Sequence, residues 1–232
     1  MGHHLPKNIR FQIASDQSLL VYFSESISIE AHRQIVCFLK LLEAEPVEAL
    51  KNIHPAYCSV LVKFDALKFT HAEIESLLVP VLVRLEKIEL PKRRIRKIPV
   101  CYGGELGPDL EELASLHQIS AEEVVRLHSS TKYTVYFLGF VPGFAYLGGL
   151  PEQLATPRLS TPRKKVSAGS VAIGGNQTGV YPISTPGGWR LIGKTPVKLF
   201  DTESKELSFI AIGDEVKFEP ITEAQFVKLE RP

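Results

Sequence analysis

Cysteine is scarce in these 232 residues, and the few present fall into no pattern. Cys37, Cys58 and Cys101 are odd in number, scattered, and form no Cys-x-x-Cys pair. That argues against a disulfide framework and a cysteine zinc site, and fits reduced thiols in a cytoplasmic protein. An excess of one charge is also missing: 27 Lys and Arg face 26 Asp and Glu, for a net charge of +1. No global field therefore draws the chain to nucleic acid or an anionic membrane. Long hydrophobic runs are absent too. The opening residues offer only "LLVYF", too short for a signal-peptide core or a membrane span, so a cytoplasmic location is expected. The histidines show neither His-x-x-x-His nor His-Glu-x-x-His spacing, so no metal is expected. Gly169-Ser170 lacks the Gly-x-Ser-x-Gly elbow of an α/β-hydrolase, and no pair of carboxylates stands out for acid/base work.

What is there reads as an ordinary globular chain, 44% hydrophobic and 23% charged, long enough for one large or two small cores. The first hundred residues suggest an α+β unit. "SLLVYF" (18–23) is β-prone, and "SIEAHRQIVCFLKLLEA" (28–44) shifts to helical spacing. "VEALKNI" (47–53) and "YCSVLVKF" (57–64) flank a hairpin-like "HPA". "THAEIESLLVPVLVRLEKI" (70–88) is a second helix, with a Thr70–Glu73 capping box and a kink expected at Pro80. With "RIRKIPV" (94–100) as last strand, the order is βαββαβ, the ferredoxin-like arrangement. The basic run "PKRRIRK" (91–97) reads as a solvated linker entering an edge strand rather than a nucleic-acid patch.

Beyond residue 100 the composition changes. Two short helices, "PDLEELASLHQ" and "SAEEVVRLHSS" (the latter capped by Ser120), precede the strand "YTVYFLGF". Residues 139–195 are then rich in Gly and Pro, with the β-prone pieces "SVAI", "GVYPI", "WRLIG" and "VKLF", which suggests a barrel or sandwich. Two domains follow, 1–92 and 93–232.

One stretch matches a nucleotide-binding pattern outright. Gly188–Thr195, "GWRLIGKT", is Gly-x-x-x-x-Gly-Lys-Thr. A working P-loop needs small flexible residues that wrap phosphate with backbone N–H groups, and a helix starting at the Lys-Thr. Trp189, Arg190, Leu191 and Ile192 prefer a strand, so ATP is not expected to bind there. "GGNQTG" (174–179) is both a hairpin turn and a candidate binding loop presenting Gln177 and Thr178. Tyr133, Phe140, Phe144, Tyr146, Arg158, Arg163, Gln177, Tyr181, Ser184 and Trp189 form a rigid set of aromatics, cations and polar groups within 128–195. Arg158 and Arg163 each follow a proline; such guanidiniums suit a carboxylate or phosphate, and equally serve as exposed turn residues. His128 is a candidate general base or the dipole partner of a helix end.

The stretch from "LHSSTKYTVYFLGFVPGFAYLGGL" through "STPGGWRLIGKTPVKLFD", extended back by "PVCYGGELGPDLEELA", closely resembles the B-subunit of bacterial 5-oxoprolinase. That family is also described as allophanate hydrolase subunit 1, and it includes the sporulation kinase-A inhibitor. The resemblance implies a ferredoxin-like N-terminal domain and a cyclophilin-like β-barrel C-terminal domain. It implies a complex with the 5-oxoprolinase C-subunit (the allophanate hydrolase subunit 2 type) and A-subunit, opening 5-oxoproline to L-glutamate at the expense of ATP. Phosphorylation of the lactam oxygen would make the resonance-stabilised amide a better electrophile. As site residues it suggests His128, Arg163 and Gln177 for catalysis. Tyr133, Phe144, Tyr146, Arg158, Thr178, Tyr181, Ser184 and Trp189 are suggested for binding the small lactam or amide. The same fold also serves inhibition of a sensor histidine kinase, so a regulatory binder of such a kinase stays open as the alternative.

Overall fold

Ser28 opens the first helix. Its hydroxyl accepts the Ala31 N–H, and α1 (Ile29–Ala44) buries Ile35, Phe38, Leu41 and Leu42 along one face. The structure, a computed structural model, describes residues 5–88 and 93–230, and its contacts divide the chain into two units, Met1–Lys92 and Arg93–Pro232. In the first unit, β1 (Arg10–Ser15), β2 (Ser18–Tyr22), β3 (Leu50–Pro55) and β4 (Ser59–Phe64) form an antiparallel sheet in the order β1-β2-β4-β3. Because β4 lies between β2 and β3, the passage β2–α1–β3 is a split βαβ unit. Helix α2 (His71–Val83) begins with the reciprocal Thr70–Glu73 capping box and carries Pro80 in its last turn, before a 3-10 turn over Arg84–Lys87.

Two expectations for this unit are corrected. A strand over Arg10–Ser15 precedes the first expected one, and "RIRKIPV" is not the closing strand of this sheet. The observed order is ββαββα rather than βαββαβ, because β1 already occupies the edge beside β2. β1 is hard to read from sequence, since its residues are largely exposed and Ile13 points into solvent at 61% exposure.

The second unit runs β5 (Ile95–Tyr102), α3 (Leu110–His117), α4 (Ala121–Ser130), β6 (Tyr133–Leu138), β7 (Ala145–Gly148), β8 (Arg163–Val166), β9 (Ser170–Gly174), β10 (Gln177–Val180), β11 (Thr185–Gly187), β12 (Arg190–Lys194), β13 (Glu215–Pro220) and α5 (Glu223–Glu230). Seven of these strands close into a barrel, β10-β7-β6-β13-β5-β12-β9, which leaves no open sheet edge; β8 and β11 pair outside it. The pairing is antiparallel except between β5 and β13, distant in sequence and parallel. Ile98, Val100, Val135, Leu147, Val171, Ile173, Ile192, Val216 and Phe218 fill the interior, with Leu113 of α3 and Val124 of α4 packed into the same core. The protein is thus mixed α+β with a closed barrel. "VKLF" is not one of its strands: only an isolated bridge joins Phe200 to Ser208.

In the basic run, Arg93 pairs with Glu215, Arg94 and Arg96 with Asp214 and Glu206, and Lys97 with Glu219. Pro91 and Lys92 lie outside the described residues. No helix among the described residues is long and apolar enough to cross a membrane.

Candidate functional site

Between β6 and β7 the chain reverses tightly: Gly139 N–H donates to Phe144 O at 3.0 Å, and Phe144 N–H donates to Val141 O at 3.1 Å. The reversal turns Phe144 inward and leaves Phe140 outside, 60% exposed. Phe140 has φ +69°, a left-handed conformation rare for a bulky residue and costing on the order of 1–3 kcal/mol. Such strain is concentrated at functional sites, and Phe140 lines the cleft formed here.

Phe144 is the hub of an aromatic wall. Its ring meets Phe140, Tyr146, Tyr181 and Trp189 edge-on at centroid distances of 5.6, 5.2, 5.7 and 5.6 Å, the geometry ring quadrupoles favour. Tyr146 also stacks on Phe137 at 4.4 Å. Two glycines make room for the wall. A Cβ at Gly174 would lie 2.6 Å from Trp189 ring atoms, and one at Gly187 would collide with the Tyr181 hydroxyl. The turn bearing Arg158 is pinned to the strand region opposite by Leu159 N–H to Gly188 O, 2.7 Å, and Arg190 Nε to Pro157 O, 3.3 Å. The Arg158 guanidinium then sits 5.7 Å from the Trp189 ring centroid, within cation–π range.

These groups enclose a cleft of about 140 Å³ lined by Phe140, Phe144, Tyr146, Arg158, Tyr181, Gly188 and Trp189. Its volume is below the roughly 300–1,000 Å³ typical of sites for drug-sized ligands, so it has room only for a small group. Burial raises the Tyr181 phenol pKa, while a hydrogen bond from the Trp189 backbone and the charges of Arg158 and Arg163 act the other way.

The structure brings together six of the residues singled out above, Phe140, Phe144, Tyr146, Arg158, Tyr181 and Trp189, and places the others elsewhere. Arg163 is half-buried behind the wall, its Nη2 donating to Asp109 Oδ1 at 2.6 Å. Gln177, half-buried, begins β10 opposite Gly174, and Ser184 is exposed before β11. His128, Tyr133 and Thr178 form a separate group in the barrel core.

That core group is fully bonded. The Thr178 hydroxyl donates to Ala172 O at 3.0 Å, so it accepts from His128 Nε2–H at 2.8 Å. Nδ1 is then the acceptor for the Tyr102 hydroxyl, also at 2.8 Å, and the Tyr133 hydroxyl donates to the His128 carbonyl at 2.9 Å. The imidazole stacks on Phe218 at 4.5 Å and is completely buried. Desolvation pulls its pKa down to about 3, so it is neutral at physiological pH. Burial likewise pushes the Tyr102 and Tyr133 phenols up.

Gly188–Thr195 does not fit a phosphate. Its latter half is barrel strand β12, whose backbone pairs with β5 and β9. Leu191 N–H is bonded to Asp109 and Thr195 N–H to Gly169 O, and no helix starts at Lys194-Thr195. The N–H groups that would wrap an anion are spent. No group of three or more His, Cys, Asp or Glu among the described residues is placed to hold a metal.

Sequence reasoning passed over Asp109 and Tyr102. Asp109 precedes a helix and reads as its cap; His128 follows the buried Val124 by one helical turn, which would have placed it on the inward stripe.

Residues 9–210 match the model of the carboxyltransferase domain, subdomain C and D. The chain is 42% identical over 230 residues to the 5-oxoprolinase B-subunit of Bacillus subtilis (strain 168), covering 94% of this chain and 96% of that one. It is 24% identical over 260 residues to urea amidolyase of Saccharomyces cerevisiae, covering 98% of this chain but 14% of that protein. The solved structure of TTHA0988 superposes with a TM-score of 0.77 at 34% identity over 88% of this chain. The match takes in 40% of TTHA0988, so this chain spans about two fifths of that longer protein. The chain belongs to the carboxyltransferase-domain (subdomain C and D) family, and within it to the relatives of the 5-oxoprolinase B-subunit.

Proposed function

We propose that the chain is the B-subunit of an ATP-dependent 5-oxoprolinase, working in the cytoplasm with the A- and C-subunits to open 5-oxoproline to L-glutamate. Near-full-length similarity to a protein of that name supports the family role. The observation that carries the substrate reading is the small aromatic cleft with Arg158 over Trp189. Flat ring faces suit a small planar lactam, and a guanidinium suits its carboxylate. The Tyr181 proton is available to the lactam oxygen, where negative charge develops as the amide is attacked. ATP is used by the complex, and no step at Gly188–Thr195 is assigned to it. Occurrence of this module as a fraction of longer relatives fits a chain that works beside other domains or subunits.

The test is reconstitution. The A- and C-subunits are assayed with and without this chain for glutamate release that depends on both ATP and 5-oxoproline. Loss of release on omission is the expected result. Intact release without the chain ends this reading, and slowed autophosphorylation of a histidine kinase by the chain would replace it.

A further inference from the structure

Asp109 occupies the N-cap position of α3, yet its side chain makes no capping bond to that helix. An aspartate there ordinarily accepts a first-turn N–H and stabilises the helix end. Here both oxygens reach elsewhere. Oδ1 accepts from Arg163 Nη2 and Oδ2 accepts the Leu191 N–H, each at 2.6 Å. The Asp109 N–H in turn donates to Leu191 O at 2.9 Å. A Cβ on nearby Gly107 would run into the Ile192 carbonyl, so the loop before α3 is seated directly on β12. The carboxylate is 7% exposed.

The ion pair is singly bonded. A carboxylate devoted to an arginine takes two parallel N–H bonds, but Asp109 spends one oxygen on the Leu191 backbone. Arg163 Nη1 is consequently buried without a hydrogen-bond partner. Leu191 lies two residues after Trp189, and Arg163 pairs with Gly187 across β8 and β11. One carboxylate therefore ties β8 to β12, the two strands that neighbour the Gly187–Trp189 segment of the cleft lining.

We propose that Asp109 is a positioning residue of the cleft: it holds Arg163 one layer behind the aromatic wall, so that this charge joins that of Arg158 in favouring an anionic ligand group beside the Tyr181 hydroxyl. The inference rests on the cleft being the ligand site, as proposed above. Both arginines act electrostatically on the Tyr181 phenol, on which the Trp189 N–H also converges. Converging fixed donors and charges of this kind stabilise negative charge without reorganising.

Trp189 is the single tryptophan of the chain and lines the cleft, so its emission reports occupancy without turnover. The full chain is titrated with 5-oxoproline, inorganic phosphate and the neutral lactam 2-pyrrolidinone. Asp109→Asn frees the half-buried Arg163 side chain to turn into solvent, away from the wall, and is on that account expected to weaken 5-oxoproline binding by about tenfold or more while leaving 2-pyrrolidinone unchanged. That variant also leaves Arg163 without its anionic partner and loses stability. The decisive protein is therefore the double variant Asp109→Asn, Arg163→Gln, which has no buried charge and keeps an amide–amide bond. It is expected to melt near the wild-type temperature and still show the loss. Wild-type anion affinity in the double variant would overturn the proposal, since the pair would then be structural. So would a wild-type protein whose emission responds to none of the three compounds. Binding of phosphate but not 5-oxoproline, with the same loss in both variants, supports the positioning role and removes 5-oxoproline as the substrate.

Discussion

The Trp189 indole rests against the backbone of Gly174: a Cβ there would stand 2.6 Å from three atoms of the ring. Gly174 ends β9, so the position of the indole is set by barrel backbone rather than by adjustable side chains. Tyr181 is seated in the same way against Gly187. The wall of the cleft is thereby fixed to the barrel before any ligand arrives.

Gly174→Ala should displace the indole. A methyl group forced into a packed site costs about 1–3 kcal/mol, and the displaced ring should emit further to the red. Denaturant unfolding followed by Trp189 fluorescence gives both quantities. An unchanged midpoint together with unchanged emission would mean that the ring is not held by this contact.

Arg158 is exposed, and its contact with Trp189 is worth only about 0.5–1 kcal/mol at such a site. Arg158→Ala should therefore leave the melting temperature within a few degrees of wild type. In the reconstituted complex the same variant should raise KM for 5-oxoproline by about tenfold or more, with Arg158→Lys intermediate because it keeps charge but loses the planar fork. Equal KM for wild type and Arg158→Ala would remove this guanidinium from the site.

What could be read in the sequence was local. The caps at Thr70–Glu73 and Ser120 each depend on residues three apart, and the structure places both as the pattern implied. The β9–β10 hairpin is signalled by Gly175-Asn176, with Gly175 at φ +65°. Phe144, Tyr146, Arg158, Tyr181 and Trp189 converge in a segment whose aromatic, Gly and Pro content marked it out. What stayed hidden depends on pairing across the chain. Asp109 meets Arg163 at a separation of 54 residues and Leu191 at 82, while its local context says helix cap. Tyr102, His128 and Thr178 meet inside a barrel whose strand order no short window reveals. β5 was expected in the wrong sheet for the same reason: periodicity indicates a strand, but not which sheet receives it, whereas β1 went unseen because its residues are largely exposed.

His128 should make the protein acid-sensitive. The unfolded chain takes up a proton near pH 6.5, whereas the buried imidazole resists until about 3. Between those values the unfolded state binds more protons, so stability falls as pH falls, by up to about 1.4 kcal/mol per pH unit. His128→Gln should flatten the dependence of melting temperature on pH between about 6.5 and 4. At neutral pH it should cost about 1–3 kcal/mol through disturbed bonds to Tyr102 and Thr178. Parallel pH profiles for the two proteins would contradict a neutral buried imidazole.

Lys194 provides the test of the P-loop-like segment. Its ammonium lies 3.5 Å from Glu230 and 5.6 Å from the Phe226 ring centroid, so its visible contacts are with α5. Such a partly exposed pair is worth about 0–1 kcal/mol. Lys194→Ala should therefore cost no more than about 1 kcal/mol of stability and leave ATP-coupled glutamate release within about tenfold of wild type. A lysine that cradles the transferred phosphate stabilises the charge of the reaction itself, and its loss would suppress turnover far more strongly. Measuring kcat in the reconstituted complex separates the two cases. Collapse of kcat with normal melting would show that this lysine, despite lying at the end of a barrel strand, works on the nucleotide.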